Sequence, residues 1–258
     1  MNAQIIAPAA GSPSQETGHA VVLLHPVCAN SDIWRLQVPV WSRSLRLVLV
    51  DLPGHGASKP MGGRPVLADF ARQLGRTLDQ AGIDRVSLVG VSLGAMVAQA
   101  FALAFPGRIH KLVLANAGAA TPAPVVQLWN QRQQAYRELG AEQHVSSTIE
   151  RWFDEAYRQR APLTVRWIES MVRATTREAY FEAVDAIKEM NHLARLHEIV
   201  APTLVIAGER DAAVKPEICA SLAGAIHGAR FIVLPSGHIS NVEAASEFTE
   251  TVGQFLST

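Results

Sequence analysis

The chain has 258 residues, 48% of them hydrophobic, with 23 Lys and Arg set against 23 Asp and Glu. That is enough apolar side chain for one large core, as a single domain or a domain with an insertion. The balanced charge provides no field to draw in nucleic acid or an anionic membrane, so the expected partner is a small molecule. The start, Met1 to Gly18, has no basic stretch followed by an apolar one, and no later segment reaches the roughly 18 apolar residues a bilayer span needs, so the chain is expected to be soluble and cytoplasmic. Two cysteines, Cys28 and Cys219, stand far apart outside any CxxC spacing. They indicate neither a disulfide framework nor a metal site, and no cofactor is implied.

In chain order, the segment ahead of Val21 is short and rich in Ala, Ser and Pro, and predicts no clear amino-terminal hairpin. Apolar, β-branched runs then recur at Val21–Leu24, Leu47–Val50, Val86–Val89, Leu112–Leu114, Thr203–Ile206 and Phe231–Leu234. Runs without alternation suit parallel strands covered on both faces, and the gaps between them are long enough for helical crossovers. Helices are predicted at Val66–Ala81, Leu93–Phe105, Pro216–Ala225 and Val242–Leu256, the second closed by Pro106 and Gly107. The predicted fold is α/β, a mostly parallel sheet covered by helices. Between Thr121 and Glu198 the alternation stops, and Trp129, Tyr136, Trp152, Tyr157, Trp167 and Tyr180 lie among Arg, Gln and Glu. Pro122 and Pro124 mark the beginning of this interval and Pro202 its end. Residues 1–120 and 199–258 are therefore expected to form the core, with 121–198 an inserted helical lid.

Gly90-Val91-Ser92-Leu93-Gly94 lies between a predicted strand and a predicted helix, the context in which GxSxG marks a nucleophile on a sharp turn. The competing reading of Ser92 is a helix N-cap. A serine hydroxyl needs an imidazole to take its proton. Of nine histidines, His238 is the one in the loop after the last strand, at the sheet edge where Ser92 stands. Asp211, just past the preceding strand, is placed to orient that imidazole. Glu209 is its nearest rival and Asp185 a weaker one, while Asp51, in Asp51-Leu52-Pro53-Gly54-His55-Gly56-Ala57-Ser58, reads as a turn-shaping residue. Two backbone donors must face the oxyanion, each worth roughly 3 to 4 kcal/mol. Leu93 N–H follows the nucleophile, and Val27 N–H is the choice from His25-Pro26-Val27-Cys28, because Pro26 has no N–H. Cys28 faces the same region, but the sequence positions no histidine to activate it.

With these residues in view, the chain resembles the α/β-hydrolase superfamily, and within it is similar to the 3-oxoadipate enol-lactonases of bacterial aromatic degradation. The likeness rests on Gly237-His238-Ile239-Ser240-Asn241-Val242-Glu243 running on through Phe248 to Phe255-Leu256. Further support lies in Asn116-Ala117-Gly118, Arg151-Trp152-Phe153 and the stretch from Thr175 to Ile187. The sequence departs from that group in the His25–Asn30 loop and in lacking a double glycine after the nucleophile. The resemblance implies a small enol-lactone substrate bearing a carboxylate, with Trp129, Arg132 and Trp152 in the binding site. Arg132, Arg137 and Arg151 are the candidate cations for the carboxylate. A general carboxylesterase, a perhydrolase-like enzyme or a C–C bond hydrolase on the same triad remain open alternatives. So does a ligand receptor that retains the triad, which rapid multiple turnover would dismiss.

Overall fold

The computed structural model describes residues 1–8 and 19–258. Its sheet has seven strands: β1 (Asn2–Ile6), β2 (Ala20–Leu24), β3 (Arg46–Asp51), β4 (Val86–Val91), β5 (Ile109–Ala115), β6 (Thr203–Gly208) and β7 (Arg230–Leu234). The order across the sheet is β1-β3-β2-β4-β5-β6-β7. Every pairing is parallel except that of β1 with β3. Every residue of β2, β4 and β6 is buried. Since side chains alternate between faces, both faces of these strands are covered, which is why their sequences run apolar without alternation.

β1 corrects the expectation at the amino terminus. Among the described residues β1 and β2 are not neighbours, yet Asn2–Ile6 adds a strand to the sheet, pairing antiparallel with β3, Asn2 opposite Asp51 and Ile6 opposite Leu47. As an edge strand it is largely exposed, and Asn-Ala-Gln-Ile-Ile lacks the continuous apolar run that marks the inner strands.

Helices α1 (Leu67–Gln80) and α2 (Leu93–Ala104) pack on each other. The chain between β5 and β6 forms four helices: α3 (Ala123–Trp152), α4 (Glu155–Arg160), α5 (Pro162–Ala174) and α6 (Arg177–Lys188). Helix α3 is broken at Gly140, whose backbone (φ 83°, ψ −174°) is not helical. Helices α7 (Pro216–Gly224) and α8 (Ala245–Ser257) complete the fold. The last predicted helix proves to be two pieces: a turn at Ser240–Glu243 and α8, separated at Ala244 (φ −113°, ψ 51°). Beside the break, the fully buried carboxylate of Glu243 accepts from Gly237 N–H and pairs with Arg210. Trp34, Trp41 and Phe248, ring centroids 6.1 to 6.4 Å apart, pack α8 against the segment after β2. Among the described residues no helix is long and apolar enough to cross a membrane.

Candidate active site

Because β4, β6 and β7 run parallel, the loops that leave their carboxyl ends meet at one edge of the sheet. Ser92 leaves β4 in a conformation that L-residues seldom adopt (φ 53°, ψ −116°). Strand and helix approach so closely there that a Cβ on Gly90 would collide with the Gly94 carbonyl, and one on Gly94 with Leu24 O. Only glycine fits either place. The Ser92 side chain makes no capping bond to α2, which removes the N-cap reading. Its Oγ lies instead 2.9 Å from His238 Nε2.

The other imidazole nitrogen, Nδ1, is 2.9 Å from Asp211 Oδ2. An ionised carboxylate only accepts, so Nδ1 carries the proton and Nε2 is left to accept from the Ser92 hydroxyl. Asp211 is itself held on all sides. Its Oδ1 accepts from Ala213 N–H (2.8 Å) and Val214 N–H (2.9 Å), and its Oδ2 also accepts from Asn116 Nδ2 (3.0 Å). Burial alone would raise this carboxyl. The His238 ring, Val214 N–H and the Asn116 amide outweigh it and hold the group below the ordinary aspartate value. The rivals stand elsewhere: Glu209 is exposed and reaches Arg210 at 3.7 Å, and Asp185 accepts from Gln133 and pairs with Lys188. Asp51 accepts from Ser31 N–H, Ala57 N–H and Asn2 Nδ2, so its carboxylate is engaged in bracing the loops after β2 and β3.

Asn116 has a part that sequence reasoning did not assign. It sits at positive φ (53°) just past β5, donates to Asp211 and accepts from Ser240 Oγ–H at 2.6 Å. The signal available was its place at the same sheet edge, one strand from Ser92. The histidine loop is also fastened to the helices between β5 and β6. His238 N–H donates to Trp152 O at 3.1 Å, and Arg210 bridges Glu243 and Asp154, the N-cap of α4.

Among the described residues, neither Val27 N–H nor Leu93 N–H donates to a protein acceptor. Cys28 N–H is taken by His55 Nε2 at 3.1 Å, leaving Val27 as the free amide of that loop. A second buried histidine, His25, accepts from Leu52 N–H at 2.9 Å, so the two rings tie the β2 and β3 loops together. Both acceptors must be neutral. Burial first, with repulsion from His55 next, pushes His25 down to about 3, and burial pushes His55 down to about 4.

One expectation needs correction: a histidine does approach Cys28. His144 Nε2, on α3, is 3.5 Å from the Cys28 sulfur. The pair does not ionise, because burial pushes the thiol up to about 12 and, with Arg151, pushes the imidazole down to about 4. Cys28 is therefore a thiol at neutral pH rather than a second nucleophile.

Ser92 and His238 open into a cavity of about 410 Å³ whose wall includes Val27, Trp129, Arg132, Arg151 and Trp152. Arg132 lies over the Trp129 ring at 4.8 Å and Arg151 at 5.7 Å. Among the described residues neither guanidinium has an acidic partner, and burial together with the repulsion of Arg151 lowers Arg132 to about 10. Burial lowers Arg151 as well, but a guanidinium keeps its proton in proteins, so both are cations at neutral pH. Arg137 is not in this wall; it stacks over Phe181 at 4.5 Å and reaches Gln134. Five residues at about 100° each turn it some 140° around the helix from Arg132.

A model of the alpha/beta hydrolase fold family matches residues 19–245. The chain belongs to the α/β-hydrolase family. Relatives within this family include 3-oxoadipate enol-lactonase 2 of Acinetobacter baylyi, 27% identical over 90% of this chain and 86% of its own. A 2-hydroxy-6-oxononadienedioate/2-hydroxy-6-oxononatrienedioate hydrolase of Paraburkholderia xenovorans is 31% identical over 92% of this chain and 86% of its own. Among solved structures, the enol-lactonase from Burkholderia xenovorans LB400 superposes with a TM-score of 0.92 at 29% identity, covering 100% of this α/β-hydrolase and 96% of that chain.

Proposed function

We propose that the protein is a serine hydrolase of small lactones or esters that bear a carboxylate, with the enol-lactone of 3-oxoadipate as its preferred substrate. The observation that carries this reading is the hydrogen-bonded chain Ser92–His238–Asp211 opening into a cavity that also holds two unpaired guanidiniums. Residues 121–198 act as a helical lid over the core formed by 1–120 and 199–258.

In this mechanism Ser92 Oγ attacks the lactone carbonyl while His238 Nε2 takes the hydroxyl proton, and Asp211 stabilises the imidazolium. Val27 N–H and Leu93 N–H receive the oxyanion, the latter at the positive end of α2. Collapse breaks the ring C–O bond. The departing enol oxygen takes the proton back from His238 and stays tethered through the acyl chain, where it tautomerises to the ketone. Water, giving a proton to the same Nε2, then attacks the acyl-enzyme and releases the free acid and Ser92. Arg132 and Arg151 hold the substrate carboxylate, a role suited to the planar guanidinium fork. Trp129 and Trp152 supply the apolar walls.

Comparing kcat/KM for the enol-lactone with that for 4-nitrophenyl acetate tests this reading. A preference of about a thousandfold or more is expected, and equal values would overturn the substrate assignment. A second reading, hydrolysis of a C–C bond beside a ketone, is favoured by relatives of that description at 30 to 32% identity. Turnover of a 2-hydroxy-6-oxo-dienoate faster than of the lactone would select it.

A further inference from the structure

The catalytic cavity is larger than a six-carbon lactone needs. Its volume of about 410 Å³ falls in the range of about 300 to 1,000 Å³ typical of sites that enclose drug-sized ligands. Beyond the catalytic pair and the two arginines its wall is mostly apolar, and among the described residues it carries no Asp, Glu or Lys. Part of that wall is closed to solvent: Met96, Ile187, Met190 and Leu222 are buried. Three large aliphatic residues of the same wall are not. Leu128 is 42%, Leu193 54% and Ile218 44% exposed, and they mark where the cavity meets water. Single exposed aliphatic side chains are ordinary on a protein surface. These three come from separate segments, α3, the stretch between α6 and β6, and α7, yet line one cavity that also holds Ser92.

The opening is held in shape by its surroundings. His192 N–H donates to Ala119 O at 2.7 Å and Thr121 N–H to Met190 O at 2.9 Å, which ties the chain after β5 to the chain after α6. Ile218 rests against bare backbone at Gly118, where even a Cβ would come within 2.8 Å of its Cγ2. Elsewhere the helices between β5 and β6 are bound to the core, with Met61 N–H and Gly62 N–H on Glu182 and Trp167 Nε1 on Asp32. Passage to Ser92 through the opening breaks none of these contacts. Ala213 and Val214, whose N–H groups hold Asp211, share the wall with Ile218. The opening is thus built partly on the loop that holds the catalytic acid, and the imidazole beside that acid returns its proton to the departing oxygen. In the proposed mechanism Arg132 and Arg151 take the acyl carboxylate, which leaves the opening to the alcohol side of an ester.

We propose that this opening is a subsite for an apolar substituent on the alcohol side of the substrate, so that the enzyme also hydrolyses alkyl esters, with Leu193 and Ile218 setting a preference for the longer alkyl groups. The proposal rests on the reading that Ser92 attacks the scissile carbonyl. As the ester C–O bond breaks, the alkoxide oxygen takes the proton from His238 Nε2 and the free alcohol leaves by the opening. Water then hydrolyses the acyl-enzyme. Each methylene moved from water onto these side chains strengthens binding by up to about fourfold.

The test compares kcat/KM for the methyl, ethyl and butyl monoesters of adipate and for methyl, ethyl and butyl hexanoate, in the wild type and in the double variant Leu193→Ser, Ile218→Ser. Both side chains are exposed, so the core is left intact. The wild type is expected to favour butyl over methyl about tenfold or more in both series, and the double variant to cut that ratio about fivefold or more. A wild-type ratio at or below unity would overturn the proposal, as would a ratio that the double variant leaves unchanged. The carboxylate reading fails separately: equal values for monomethyl adipate and methyl hexanoate would remove it, while a butyl preference in both series would still uphold the subsite. A crystal structure of Ser92→Ala with monobutyl adipate should show the butyl group against Leu193 and Ile218. A butyl group lodged elsewhere in the cavity would contradict the proposal.

Discussion

The β4–α2 segment and helix α3 both contribute to the same cavity, yet they are built in opposite ways. Every residue of β4 and all of α2 except Ala104 is buried, and the turn between them is so tight that glycine alone fits on either side of Ser92. Helix α3, thirty residues long and broken at Gly140, buries only Gln133, His144, Val145, Thr148, Ile149 and Trp152. A close-packed element can hold a hydroxyl to a fraction of an ångström, as bond-making requires. A half-exposed helix can change its side chains with little loss of packing, as a change of substrate requires. The contrast suits the proposed chemistry at Ser92 to the close-packed core and the proposed carboxylate selection to the helices between β5 and β6.

The strongest attempt to break that division is Asp211→Asn in the core. It should lower kcat by about 10⁴, because an amide can present its N–H to Nδ1 and force the wrong imidazole tautomer. The loss should be the same for charged and neutral substrates in steady-state assays. A loss confined to carboxylated substrates would show that the core also selects. Next in size is Arg151→Gln in the insertion, expected to raise KM for carboxylated esters about tenfold or more while altering their kcat far less. Equal effects on neutral esters would assign Arg151 to the chemistry instead.

The smallest effect concerns pH. His25 and His55 are held neutral by burial in the folded core, at about 3 and about 4, whereas an unfolded histidine titrates near 6.5. Below that pH the unfolded chain gains protons the folded one refuses. Stability is therefore expected to fall from about pH 6.5 down to about 4, at about 1.4 kcal/mol per pH unit for each such histidine. Urea midpoints at pH 7, 6 and 5 would measure the slope, and His55→Gln should reduce it. A flat profile would mean that the two rings are not neutral acceptors in the fold.

What was readable in the sequence follows the same division. The five inner strands announced themselves because burial on both faces selects unbroken apolar runs; β7 carries such a run although it is a mostly exposed edge, while β1, the other edge, left no such mark. Ser92, Asp211 and His238 each adjoin a strand end, so local pattern was enough to locate the three side chains that the structure links by hydrogen bonds. The contacts of Asn116 with Asp211, 95 residues on, and of Cys28 with His144, 116 residues on, depend on packing between distant segments. Which arginines of the insertion face the cavity depends on helix phase and on the break at Gly140, and composition alone did not separate Arg132 and Arg151 from Arg137. The break before α8 falls beside another such contact, that of Glu243 with Arg210, 33 residues back.

The central claim is that one serine, activated by one imidazole, carries out the covalent step. Treating the protein with diisopropyl fluorophosphate and mapping the adduct by peptide mass spectrometry tests it most directly. The account predicts a single phosphorylated serine at position 92, with labelling lost in Ser92→Ala and strongly slowed in His238→Ala. Rapid stoichiometric labelling of another residue, or labelling of Ser92 at an undiminished rate without His238, would contradict it.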